Sequence, residues 1–369
     1  MKLSTATLAV EDAAIVADLA CVVELPAPGK CKRVGLAGIA SDVFQGLAAH
    51  QRTQPIVRFA YSVKTNPDPI LLNEALRAGF FAEVISPAEL DHATACGFPA
   101  DAIVYNGPYP AHYASAAPAI VFADSLEAYR SVASQFSTTL VGLRIRPDGI
   151  RSRFGIPRER LGDAATVLRA CGRREFGVAF HVRPQDYAGG SFRSVAASVI
   201  RTAAELERTA DSALTVFDVG GGKRPDEMEA AIAGGEFEWL EREVRTALPR
   251  TRLIIAEPGQ ALATPCAALV ATILETRRRG SRSEIVVDAG YPDLPQIGTF
   301  EHRFFVMDGG RVSRLRPGRG RIVGRTCLEY DVLATDLNVE ACVTGAAIAV
   351  ADCGAYDTSM AFDFARGAA

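Results

Sequence analysis

The run Phe59-Ala60-Tyr61-Ser62-Val63 is apolar almost throughout, and a lysine, Lys64, closes it. Lysine is scarce here: of 40 basic residues only Lys2, Lys30, Lys32, Lys64 and Lys223 are lysines, and the rest are arginines. An amine pressed into apolar surroundings loses solvation of its charged form, which frees a nucleophilic lone pair suited to Schiff-base chemistry. The plainer reading is a lysine reaching from a strand end to water. Other polar or glycine residues close further apolar runs: Ser86, Asn106, Arg146, His181, Gly220-Gly221-Gly222 and Glu257-Pro258-Gly259. Their gathering at one edge of an otherwise apolar sheet says more than any single motif. The triple glycine suits close backbone approach to a phosphate, although on its own it reads equally as a turn.

The elements that must position these residues are short runs rich in Val, Ile and Phe, without strict alternation. They are Val57–Val63, Phe81–Ile85, Ile103–Tyr105, Ile120–Ala123, Val141–Ile145, Gly177–Val182, Leu214–Val219 and Leu253–Ala256. Continuous apolar runs are expected of strands buried on both faces of a parallel sheet. Between them lie amphipathic stretches: Ile70–Ala78, Glu89–Cys96, Leu126–Phe136, Glu159–Cys171, Arg193–Thr209 and Glu227–Leu248, with Gly38–Gln51 ahead of the first run. Several open on helix-start residues, such as Ser86-Pro87, Asp124-Ser125 and Pro225-Asp226. The alternation predicts an α/β fold, a (β/α)8 TIM-type barrel over residues 33–262, with a doubly wound sheet as the other architecture of the same texture. In a barrel, functional residues lie where strands end, and a phosphate is commonly held after strands seven and eight, where the glycines and Glu257-Pro258-Gly259 fall. From about residue 263 the runs are separated by Gly, Asp and Arg, so a β-rich second domain is expected over 263–369, joined by 1–32. Within it, Arg311–Arg325 reads as a basic, glycine-rich solvated loop.

Composition narrows the function classes. At 369 residues, 49% hydrophobic and 22% charged, the chain reads as a globular enzyme, not a disordered one. A net charge of −3 offers no basic surface, so nucleic acid is not an expected partner. Eight scattered cysteines, without a CxxC pair or a Cys/His cluster, give neither a metal site nor a disulfide framework. The opening MKLSTATLAVEDAA carries acids where a signal peptide is apolar, and the longest apolar stretches fall far below the ~20 residues of a membrane helix. No membrane partner is expected, and a cytoplasmic protein with reduced thiols is.

In order along the chain stand YSVKTN at 61–66, FHV ending the sixth run, FDVGGG at 217–222, EPG at 257–259, Cys327 followed by Asp331, and GAYDTSMAF at 354–362. This ordered set, over about residues 33–365, resembles the fold-type III pyridoxal-phosphate (PLP) decarboxylases of ornithine, diaminopimelate and arginine, whose barrel is shared with alanine racemase. The resemblance implies an alanine-racemase-like barrel with a C-terminal β domain, PLP as cofactor, and a homodimer with shared active sites. It implies a Schiff base from Lys64 to PLP, the His181 ring on the pyridine face, and Glu257 on the ring nitrogen, keeping it an electron sink. Gly220, Gly221, Gly222, Gly259 and the Tyr356 hydroxyl fall at the cofactor. Cys327 of the partner subunit is implied as the donor that reprotonates Cα, and Asp331 as an interface acid pairing across the dimer with Arg153. The implied activity is α-decarboxylation of an amino acid, a basic or modified diamino acid. A non-catalytic regulatory homologue and a racemase or epimerase are the alternatives.

Three departures shape that expectation. Arg183-Pro184 follows His181 where the family has a phosphate-binding Gly-Ser, and Gln260 replaces the arginine that pairs with the phosphate, so Arg183 is the expected substitute. Leu328 stands where an acid meets the distal amine of the substrate, leaving Glu301 and Glu329 as the nearby acids. Gln296 replaces the arginine that meets the distal carboxylate of diaminopimelate.

Overall fold

A computed structural model describes residues 8, 10–22, 26, 30–108, 117–183 and 191–364. The chain divides into two compact units: Met1–Leu8 with Phe44–Ala261, and Ala9–Val43 with Leu262–Ala369. In chain order the second unit begins with α1 (Asp12–Ala20) and β1 (Lys32–Gly35), and α2 (Ala37–Gln51) crosses into the first.

The first unit is a closed barrel. Its strands are β2 (Val57–Ser62), β3 (Phe81–Val84), β4 (Ile103–Tyr105), β5 (Ile120–Ala123), β6 (Leu140–Arg144), β7 (Glu175–Ala179), β8 (Ala213–Gly221) and β9 (Leu253–Glu257). All eight coincide with the apolar runs of the sequence. Neighbours pair in parallel, and β9 closes on β2 through Val57 opposite Ile254. The helices are α3 (Pro69–Arg77), α4 (Pro87–Ala95), α5 (Leu126–Gln135), α6 (Leu161–Ala170), α7 (Phe192–Ala210), α8 (Pro225–Ala233) and α9 (Glu236–Ala247). Ala60, Val104, Ile120, Phe122, Ala179, Val216 and Ile255 fill the interior. Phe122 occupies the space that Cβ atoms on Gly142 and Gly177 would need, at 2.6 and 2.8 Å, which accounts for glycine on two central strands. Helix starts follow from side-chain chemistry. The Ser86 hydroxyl accepts the Glu89 N–H at 3.2 Å, and the Glu89 carboxylate accepts the Ile85 N–H at 2.9 Å. Ser86 therefore caps a helix and takes no part in the chemistry at the barrel mouth.

The second unit holds α10 (Gly259–Ala263) at its entry and then β10 (Ala267–Arg279), β11 (Arg282–Val287), β12 (Arg303–Asp308), β13 (Arg311–Arg314), β14 (Pro317–Val323), β15 (Val332–Leu337) and β16 (Ala347–Ala351). They form one sheet in the order β13-β12-β16-β10-β11-β14-β15, with β1 also on β10. Leu269, Ile273, Ile285, Val287, Ile322, Ile348 and Val350 belong to its core.

Three details differ from the sequence reading. The barrel was expected to begin at residue 33, yet residues 9–43 group with the sheet, because Lys32–Gly35 pairs antiparallel with Ala267–Val270. The stretch 227–248 is two helices, broken where Gly235 takes a left-handed φ of 62° that side chains resist. The basic segment 311–325 is not a loop: it supplies β13 and β14. Arg311 and Arg314 sit on the edge strand β13, where charge discourages pairing with other chains, and Arg321 on the internal strand β14 pairs with the buried Glu284. Among the described residues no helix is long and apolar enough to cross a membrane.

Candidate active site

At the C-terminal edge of the barrel lies a cavity of about 540 Å³ lined by Lys64, Glu83, Asn106, Arg144, Arg151, Arg153, His181, Arg183 and Glu257, among others. These groups arrive from the ends of β2, β3, β4, β6, β7 and β9 and the connections that follow, as the barrel geometry demands. Lys64 sits in a tight turn, Val63–Thr65, directly after β2. Its surroundings are not purely apolar, as the sequence suggested: its ammonium contacts the fully buried Glu83 carboxylate. Glu83 lies on β3 opposite Ser62, so the register of two neighbouring strands makes the pair. The signal was a single acid inside the run Phe81-Ala82-Glu83-Val84, which the sequence reading passed over.

Glu83 is one of three buried acids. Burial pushes its carboxyl up to about 7, opposed by the charge of Lys64 and reinforced by that of Glu257. Asp218, on β8, is raised well above the usual carboxylate range by burial and by the facing Glu257, although the Gly220 N–H donates to it at 2.8 Å. Glu257, at the end of β9, goes the other way. Burial opposes its charge, but His181, the Lys64 ammonium and the Asn106 amide together hold it well below the usual range. Asn106 donates to Glu257 at 2.7 Å. The environment thus separates the three: burial and the facing Glu257 push Asp218 up, Glu257 is held down, and Glu83 lies between.

His181 follows β7. The Gly221 N–H is directed at its Nδ1 at 3.2 Å, which fixes the orientation of the ring. The same Nδ1 lies 3.8 Å from Glu257. The glycines are required by this closeness. Gly220 has φ of 67°, and a Cβ there would lie 2.6 Å from His181 Nδ1; on Gly221 a Cβ would lie 1.8 Å from the Glu257 carbonyl.

The other singled-out residues of the sequence lie in the second unit. Cys327 is exposed on the segment between β14 and β15, beside the half-buried Leu328 and the exposed Glu329; Glu301 is exposed just before β12. Tyr356 has a left-handed φ of 65°, and its neighbour Asp357, fully buried, accepts from the Gln296 N–H and contacts His302 Nε2, both at 2.9 Å. Asp331 is buried, and its carboxylate accepts the Tyr291 N–H at 2.6 Å, the Thr326 N–H at 2.9 Å and the Thr326 hydroxyl. It therefore shapes the Cys327 segment within its own chain, a task the sequence reading did not give it. Gln260 is buried in α10, Arg183 lines the cavity, and Pro184 lies outside the described residues.

The site accommodates PLP on three observations. The Lys64 amine reaches the cavity, the ionised Glu257 can face a ring N–H, and the close-packed Gly220-Gly221 turn leaves backbone near the mouth. Among the described residues, one buried oxygen of Glu83 and one of Asn106 also have no hydrogen-bond partner, as befits a polar ligand site.

The profile of the family described as "Pyridoxal-dependent decarboxylase, pyridoxal binding domain" matches residues 41–264. The chain is 25% identical over 351 residues to a diaminopimelate decarboxylase of Archaeoglobus fulgidus, covering 87% of this chain and 82% of that one. It is 27% identical over 274 residues to a chloroplastic ornithine decarboxylase of Nicotiana glauca, covering 67% and 60%. Among solved structures, the arginine decarboxylase of Paramecium bursaria Chlorella virus bound to agmatine superposes with a TM-score of 0.74 at 18% identity, covering 91% of this chain and 94% of that one. The lysine decarboxylase of Selenomonas ruminantium superposes at 0.74 and 21% identity, covering 96% and 93%. These two likenesses establish the shared fold.

Proposed function

Because the chain belongs to the pyridoxal-dependent decarboxylase family and is thereby a PLP-dependent amino-acid decarboxylase, we propose that it removes the α-carboxyl of a modified diamino acid, in a cytoplasmic homodimer whose sites are shared. When bound, the cofactor supplies a Schiff-base carbonyl and an electron-accepting ring. Lys64 is the residue that holds it covalently and yields to the substrate amine. Glu83 is positioned to keep the Lys64 amine aimed into the cavity and to exchange a proton with it. His181, fixed by the Gly221 N–H, offers its ring face as a stacking platform. Glu257, kept ionised, holds a proton on the ring nitrogen. Gly220–Gly222, Gly259 and Tyr356 hold the phosphate, with Arg183 supplying the charge that Gln260 does not.

Cys327 of the partner subunit is the proposed donor of the proton that replaces CO2. Its exposure supports a reach beyond its own chain, and Asp331 steadies its segment. Three of the Asp331 acceptor positions are taken by its own chain, which leaves capacity for Arg153 across the dimer. Leu328 and Gln296, standing where the resemblance places contacts to a distal amine and a distal carboxylate, support a substrate other than plain ornithine or diaminopimelate.

The observation that carries this reading is the convergence of Lys64, Glu83, His181 and Glu257 from four strand ends on one cavity. Borohydride reduction of the PLP-loaded protein should fix the cofactor on Lys64, and CO2 should be released from some member of a panel of basic and acylated diamino acids. Absence of a fixed adduct, or release undiminished in Lys64→Ala, would sink the proposal.

A further inference from the structure

Three glycines in a row give the turn after β8 no side chain by which to hold its shape, and Gly220 and Gly222 both take a left-handed φ, 67° and 97°. The entering end of the turn is tied. The Gly220 N–H donates to Asp218, and the Gly221 N–H is directed at His181. The first side chain at the leaving end is Lys223, one of the five lysines of the chain. Its ammonium lies 2.9 Å from Glu236, at the start of α9, and 4.0 Å from the centre of the Phe192 ring, at the start of α7. The two side chains of the ion pair are only 13% and 14% exposed, so solvent and salt screen it far less than a pair at the surface.

The elements that Lys223 grips are themselves joined. Arg193 of α7 donates to the Gly234 carbonyl at 2.6 Å and lies over the Trp239 ring of α9. Phe192 stacks on Phe180 with ring centres 6.4 Å apart, and Phe180 is the residue before His181. The lysine thus fastens the exit of the turn to two helices, and through Phe192 and Phe180 it bears on the strand end that carries His181. Among the described residues that line the cavity Lys223 does not feature; its charge is engaged by Glu236 and the Phe192 ring. We propose that Lys223 is a positioning residue for the cofactor's phosphate: its pair with Glu236 fixes the Gly220–Gly222 turn in the conformation that receives it. The proposal rests on the reading that this turn takes the phosphate.

Full-length protein titrated with PLP and with pyridoxal, which lacks the phosphate, and read by absorbance separates a role at the phosphate from a general one. Wild type should bind PLP far more tightly than pyridoxal. Lys223→Met keeps the length of the side chain and its rest on Phe192 but cannot pair. It should weaken PLP at least about tenfold and leave pyridoxal within about twofold. Glu236→Gln alters only the partner of the lysine and should reproduce that split. A PLP-to-pyridoxal ratio unchanged in Lys223→Met, or equal weakening of both ligands, would overturn the proposal. So would a loss confined to Lys223→Met and absent from Glu236→Gln, since that places the lysine on the phosphate itself. Should Lys223→Met not fold, Glu236→Gln decides by the same ratio. Each of these failures leaves the phosphate reading standing, whereas a wild type that binds the two ligands alike removes that reading and the proposal with it.

Discussion

Replacing Glu83 with glutamine should change how the stability of the cofactor-free barrel depends on pH. The native carboxyl is held at about 7, against an ordinary 4.5, chiefly by burial. Below pH 4.5 the group is protonated in both folded and unfolded chains and has no net effect. Between 4.5 and about 7 the unfolded chain releases the proton while the fold retains it, so stability falls as pH rises, and the loss is complete above the folded value. The gap corresponds to roughly 3 kcal/mol, and the side chain is fully buried, so no solvent screening reduces it. Glu83→Gln abolishes this titration. It also strips Lys64 of its partner, which lowers the variant's stability at every pH in the window, so the readout is the slope and not the level. Asp218 feels the charge of Glu83, so the same replacement also relieves part of the upward push on Asp218, which adds to the change in slope in the same direction. The single tryptophan, Trp239, lies on α9 of the barrel, so its fluorescence reports the barrel transition. In urea titrations the stability of wild type relative to variant should fall by about 3 kcal/mol from pH 4.5 to 8, near 1 M in midpoint. A difference that stays flat across that range would refute the assignment of the buried proton to Glu83.

Ser86→Ala removes a helix cap and should cost the barrel about 1 kcal/mol in the same urea assay, without altering cofactor content. Gly220→Ala forces a left-handed residue and drives a Cβ toward His181, so PLP titration should show affinity falling by an order of magnitude or more, with the His181 orientation lost. Asp331→Ala leaves the Tyr291 and Thr326 N–H groups without their acceptor. The expected cost is about 2 kcal/mol or more, together with faster alkylation of Cys327 and faster amide exchange between residues 324 and 331.

The eight barrel strands were legible because strands buried on both faces cannot hide: their apolar runs are continuous and their polar residues are pushed to the ends. Lys64, Asn106, His181 and Glu257 were found for that reason. Glu83 and Asp218 were not, since each lies inside an apolar run and acquires meaning only through a neighbour across the sheet, Lys64 for one and Glu257 for the other. Segment 311–325 misled for a related cause. Its charges read as solvation, but the edge strand β13 turns its arginines to water and Arg321 of the internal β14 is neutralised by Glu284 across the sheet, so a basic strand shows the same composition as a loop. The glycine break in the helical stretch 227–248 was present as Gly234-Gly235, but the amphipathic period on either side masked it.

The choice of Glu257 over Asp218 as the acid proposed to face the ring nitrogen follows from electrostatics as well as from resemblance. Both are buried at the end of adjacent strands, and both charges cannot be kept so close together. Asp218 receives one backbone N–H, from Gly220, and burial with the charge of Glu257 pushes its carboxyl up. Glu257 receives the Asn106 amide and the field of Lys64, and remains charged. The upward push on Asp218 favours the form that can donate to Glu257, where a second carboxylate would repel it. Asn106 adds to His181 and Lys64 in holding Glu257 charged. It comes from β4, on the opposite side of the barrel mouth from β8, so the site depends on barrel closure and not on any one βα unit.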